Sequence, residues 1–127
     1  MLREGAKMWM GVNIVTVRGV IDRQVAAYNN QDIEAFIACY ADDATIIQTD
    51  GSVLAVGREQ IRAIYAGLFE QSPDLRAEIR NRIEVGPIVM DEEFVTGLVF
   101  PGLPPEVHGA VVYRVDDGLI QEVHLYG

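Results

Sequence analysis

The chain has 127 residues, half of them hydrophobic, which is enough for one domain with a real core and too little for two ordinary domains or for a disordered chain. Its 10 basic and 19 acidic side chains leave a net charge of −9, a balance that repels phosphate backbones and anionic lipid surfaces and so argues against nucleic-acid or membrane partners. Cys39 is the only cysteine, so no internal disulfide and no thiol pair for a metal can form, and a reducing cytoplasm fits.

Residues 1–15, MLREGAKMWMGVNIV, have a basic start and an apolar run, but Asn13 interrupts it and no small-residue cleavage site follows, so they read as a cytosolic leader with Met8 or Met10 as alternative starts. The domain then spans 16–127. Val17, Val20, Ile21, Gln24, Val25 and Tyr28 recur at helical spacing, a buried stripe that includes one amide. Asp32 stands as an N-cap before Ile33, Phe36, Ile37 and Tyr40, the stripe of a short second helix. ATIIQT alternates as a strand, Asp50-Gly51 marks a turn, and VLAV returns as a short strand up to Gly57. Ile61, Ile64, Tyr65, Leu68 and Phe69 define a third helix, which Ser72-Pro73 ends.

Beyond Leu75 the helical period disappears, and LRAEIRNRIEV, EFVTGLVF, VHGAVVYRV and LIQEVHLY read as four strands separated by Gly, Pro and Asp turns. In the first of these, simple alternation puts Arg76, Glu78, Arg80, Arg82 and Glu84 on one face and Ala77, Ile79, Ile83 and Val85 on the buried one. Arg114 likewise leaves Val111, Tyr113 and Val115 facing inward. Helices first and strands afterwards imply an α+β domain whose antiparallel sheet curls over segregated helices. No repeat, metal-spaced His/Cys set, phosphate-binding glycine loop or nucleophile elbow is present, so no metal or cofactor is implied.

The succession VAAYNNQDIEAFIACYADDATI, GREQIRAIYAGLF and YRVDDGLIQEVHLY resembles the nuclear transport factor 2-like superfamily, and within it the SnoaL-like polyketide cyclases and the ketosteroid isomerases. The resemblance implies a cone-shaped, cystatin-like fold in which three helices pack in a strongly curved antiparallel sheet around an apolar cavity, with homodimers formed through the sheet. It says little about activity, because that scaffold hosts isomerases, dehydratases, hydrolases, cyclases and plain binders.

By the resemblance, Asp42 and Asp43 are the solvent-facing acidic pair at the helix-to-strand junction, and the three roles of a ketosteroid isomerase fall on Gln24, Gln48 and Val111. Neither an amide nor a valine can make those proton transfers. A supporting tyrosine pair falls on Tyr40 and Tyr65. The ligand-binding candidates are therefore Gln24, Tyr28, Tyr40, Gln48, Tyr65, Tyr113 and Tyr126, around a small apolar organic molecule with a carbonyl or hydroxyl. For proton transfer the candidates are His124, with Glu122 on the same strand face, and Asp50, which the TDGS context also explains as an ordinary turn residue. Composition alone buries Val123 and Leu125 and exposes His124, whereas the resemblance turns His124 into the cavity and leaves Val123 and Leu125 for a dimer contact. Arg82 reaches inward only if its strand bends. The function expected is a cofactor-independent cyclase, lyase or isomerase other than a ketosteroid isomerase; a non-catalytic ligand-binding or protein-interaction module is the alternative.

Overall fold

The computed structural model describes residues 16–127, so the expectations for the leader 1–15 lie outside the described residues. Helix α1 spans Val17–Asn30. The Thr16 side chain caps it by accepting from the Gly19 N–H, and Gln31, in the left-handed region at φ 55°, closes its C-terminus. The second helix, α2, is Ile33–Ile37, with Asp32 accepting from the Ala35 N–H. It is shorter than the sequence pattern suggested, because Tyr40 is not on its stripe but opens strand β1, Tyr40–Ile47. Asp42 and Asp43 consequently lie within β1, and both are exposed. Strand β2, Val53–Val56, pairs back onto β1, and α3, Arg58–Gln71, follows.

Four long strands complete the chain: β3 Arg76–Val85, β4 Ile88–Thr96, β5 Val107–Asp116 and β6 Leu119–Tyr126. They form one open six-stranded sheet in the order β2-β1-β6-β5-β4-β3, not closed into a barrel. Every pairing is antiparallel except β1 with β6, which is parallel. The helices cover one face, and the core between them is built on Val20, Ile21, Phe36, Tyr40, Ile46, Ile61, Val89, Ile120 and Val123, none more than 2% exposed.

Two strand readings needed correction. EFVTGLVF is a strand only in its first half: β4 begins earlier, at Ile88, and stops at Thr96 because Gly97 turns at φ 69° against the neighbouring chain, where a Cβ would lie 2.1 Å from the Asp74 carbonyl oxygen. In β3 the alternation breaks at a bulge. Ile79 pairs with Glu93 but Asn81 pairs with Glu92, so Arg80 is an extra residue and the side chains beyond it change faces. Ile83 and Val85, expected to be buried, are 58% and 68% exposed, and Arg82, expected on a charged outer face, turns inward opposite Asp91.

Candidate ligand cavity and its buried carboxyl groups

Between the helices and the inner face of the sheet lies a cavity of about 490 Å³. Gln24, Val25 and Tyr28 enter it from α1, Ile64, Tyr65 and Leu68 from α3, and Tyr40 from the start of β1. The strands close it with alternate side chains: Glu93 and Val95 of β4, Val111 and Tyr113 of β5, and Val123 and Leu125 of β6. Exposed residues rim the opening, among them Asp50, Phe100 and Leu103.

Polar groups at the base of the cavity are joined in a chain. The Gln24 side-chain amide donates to the Tyr40 oxygen at 3.2 Å, while the Tyr113 hydroxyl stands 3.3 Å from both Gln24 Oε1 and Glu93 Oε2. One phenolic hydrogen cannot serve both acceptors fully. The conflict disappears when Glu93 carries a proton: it then donates to Tyr113, which donates to Gln24. Burial pushes the Glu93 carboxyl up to about 7, and the neighbouring Asp91 carboxylate adds to the shift. The Tyr113 hydrogen bond and the Arg82 charge oppose it more weakly. Glu93 is thus a carboxylic acid poised to gain or lose a proton near neutrality. Burial also raises the hydroxyls of Tyr28, Tyr40, Tyr65 and Tyr113, which stay protonated as hydrogen-bond donors.

Asp91, two residues before Glu93 on the same strand face, has 0% exposure. Arg82 holds it with two prongs, Nε to Oδ1 at 2.6 Å and Nη2 to Oδ2 at 2.9 Å, and uses Nη1 on Asp22 at 2.6 Å. The bulge at Arg80 makes this possible by aiming Arg82 at Asp91. Hydrogen bonding to Asp91 makes the guanidinium still harder to deprotonate, so the pair is a fixed ionic support beside a titrating neighbour.

The sequence candidates separate into three groups. Gln24, Tyr28, Tyr40, Gln48, Tyr65 and Tyr113 all line the cavity. Asp50 lines its rim in an exposed turn, where the Ser52 hydroxyl and N–H hold its carboxyl below the usual range; Gln48 likewise bonds Ser52, at 3.1 Å. His124, Glu122 and Tyr126 are not in the cavity. On β6 it is Val123 and Leu125 that face inward, contrary to their expected place at a dimer contact, and His124 lies on the outer face, 3.0 Å from Glu122 and stacked on Tyr126. The reason is strand parity: the inward positions of β6 pack against the helices and demand apolar side chains, and composition alone had pointed that way. His108, also exposed, bonds Glu92 at 2.7 Å.

Missed altogether as site residues were Asp91 and Glu93, because Asp91 falls in the polar break before EFVTGLVF and Glu93 at its first position, where an acid reads as exposed. A signal did exist. Val89, Asp91, Glu93 and Val95 alternate with period two, so the outer members Val89 and Val95 carry both acids inward with them.

A family model of the SnoaL-like domain matches residues 21–123. The chain belongs to the SnoaL-like domain family. Among solved structures, this SnoaL-like chain is similar to an uncharacterised cystatin-fold protein from Novosphingobium aromaticivorans, at 26% identity and TM-score 0.79 over 91% of this chain and 100% of that one. It is also similar to a putative polyketide cyclase from Sinorhizobium meliloti, at 19% identity and TM-score 0.70 over 84% and 92% of the two chains. A third, a hypothetical protein with a ketosteroid isomerase-like fold from Catenulispora acidiphila in complex with trimethylamine, is 20% identical with TM-score 0.69 over 88% and 87%. At such identities the last two likenesses speak for the fold alone. No curated protein matches the chain. Among the described residues no cluster of three or more His, Cys, Asp or Glu could hold a metal ion, and no helix is long and apolar enough to cross a membrane.

Proposed function

We propose that this SnoaL-like protein binds a small, largely apolar organic molecule with a carbonyl or hydroxyl in the cavity and moves a proton on it, as a cofactor-independent cyclase, lyase or isomerase. The observation that carries the reading is the placement of Glu93: a carboxyl group titrating near 7, at the base of an apolar cavity, within reach of Tyr113 and through it of Gln24 and Tyr40. A general acid/base is most effective when its pKa lies near the working pH. The proton-moving role first sought in His124 and Glu122 therefore passes to Glu93. Gln24, Gln48 and Val111 occupy the positions that serve ketosteroid isomerisation in related enzymes, which argues against that reaction. A second reading, a binding module without catalysis, is favoured by one fact: among the described residues, the only carboxyl lining the cavity apart from Glu93 is that of Asp50, out on the rim. Native mass spectrometry after incubation with a panel of cyclic ketones and alcohols should show one ligand per chain. A panel that leaves the mass unchanged, with Glu93→Gln behaving alike, would remove the reading.

The proposal extends to a cytoplasmic homodimer formed through the outer face of the sheet. That face exposes Ile83, Val85 and Met90 at 58%, 68% and 39%, a patch that pairing would remove from water. Light scattering should give a dimer that Met90→Asp converts to monomer. A parent protein that is already monomeric at micromolar concentration would refute it.

A further inference from the structure

The cavity that this functional reading assigns to a carbonyl or hydroxyl compound has a one-sided charge inventory. Its lining holds two acids, Glu93 within and Asp50 at the rim, and among the described residues no lysine, arginine or histidine. The nearest guanidinium is fully committed: Arg82 places Nε and Nη2 on Asp91 and Nη1 on Asp22. Glu93, which lines the cavity, thus has one hydrogen bond, from Tyr113 to Oε2, while Oε1 has no hydrogen-bond partner among the described residues. Tyr28, Tyr40, Tyr65 and Tyr113 surround the same space, and aromatic rings attract cations.

We infer that the preferred occupants of the cavity are those carbonyl or hydroxyl compounds that also carry a basic amine, bound as ammonium ions with Glu93 as carboxylate counter-ion and the tyrosine rings around the charged head. The inference rests on the cavity being the ligand site, and it names the class of ligand that site takes. Above about pH 7 Glu93 is already ionised in the folded chain, so there the ligand has only its own desolvation to bear. A neutral ligand gains no charge pairing. An anion would meet two carboxyl groups and a chain of net charge −9.

The groups facing Glu93 are Asp91 on its own strand, Arg82 from β3, Tyr113 from β5, Gln24 and Tyr28 from α1, Tyr40 from β1 and Tyr65 from α3. The tyrosines remain neutral, and Asp91 and Arg82 neutralise each other. An ammonium ion binding below pH 7 therefore ionises Glu93 and releases its proton to solvent.

Calorimetric titration of the intact protein with adamantylmethylamine, adamantylmethanol and adamantane carboxylate holds the apolar body constant while changing the head. At pH 7.5 the amine should bind about 10-fold or more tighter than the alcohol, the usual worth of a charged hydrogen bond, and the carboxylate should not bind. At pH 6 amine binding should release protons, seen as a dependence of the heat on the buffer's ionisation enthalpy. Glu93→Gln should erase the amine's advantage over the alcohol. Alcohol binding equal to or tighter than amine binding would overturn the inference and leave the cavity as a site for neutral molecules. Failure of all three to bind would overturn both.

Discussion

Glu93→Gln should lower turnover of any carbonyl or hydroxyl substrate by about 10² or more, the usual size of a general acid/base contribution, and should flatten the pH profile around 7. Glutamine keeps the volume and can still accept from Tyr113, so substrate affinity should move much less than kcat. Stability carries an independent signature of the same group. A carboxyl raised from 4.5 to about 7 holds its proton more tightly in the folded than in the unfolded chain. Its effect on folding is therefore neutral below about 4.5, turns unfavourable as pH rises through that window, and is complete above about 7, at up to about 3 kcal/mol from the size of the shift. Urea unfolding at pH 4 and pH 8 should show the Glu93→Gln protein gaining on the parent at the higher pH. An equal difference at both would mean that the carboxyl titrates normally and is no acid/base.

Arg82→Met should destabilise the fold by about 3–5 kcal/mol, among the largest single losses available, because it strands the fully buried Asp91 carboxylate without its guanidinium. The double change Arg82→Met with Asp91→Leu should recover most of that loss, since an apolar pair of similar bulk has no charge to desolvate. Denaturation midpoints settle the point: if Arg82→Met alone costs under about 1 kcal/mol, the pair behaves like an exposed surface bridge and provides no support to the cavity wall.

Much of the architecture was legible from periodicity. The stripes of α1 and α3, the cap at Asp32, the Asp50-Gly51 turn and the inward run Val111, Tyr113 and Val115 all follow from spacing and turn chemistry, and the structure has them in place. Six of the polar residues around the cavity follow from the family resemblance together with their place as amides and tyrosines on otherwise apolar faces. What escaped has a common cause. Periodicity assumes an uninterrupted strand, and the charged residues beside the cavity sit where the strand is interrupted or where burial overrides polarity. Arg82 changes face because of one extra residue, and Asp91 and Glu93 are charged residues in core positions, a choice tolerated only because one is paired with Arg82 and the other can hold a proton. His124 illustrates the reverse error: its chemistry was attractive, but the apolar residues on either side of it had the stronger claim to the interior.

Arg80 has no partner in the ladder, yet the partners of its successors depend on where it sits. Were the strand ironed flat at constant length, Asn81 would stand opposite Asp91, and Arg82 would stand opposite Met90 on the outer side. A guanidinium would be traded for an amide beside a buried carboxylate. The wall of the cavity is therefore encoded partly by position and not only by residue type: a lineage that straightened this strand would rewrite the charge beside Asp91 without substituting a single side chain that lines the cavity.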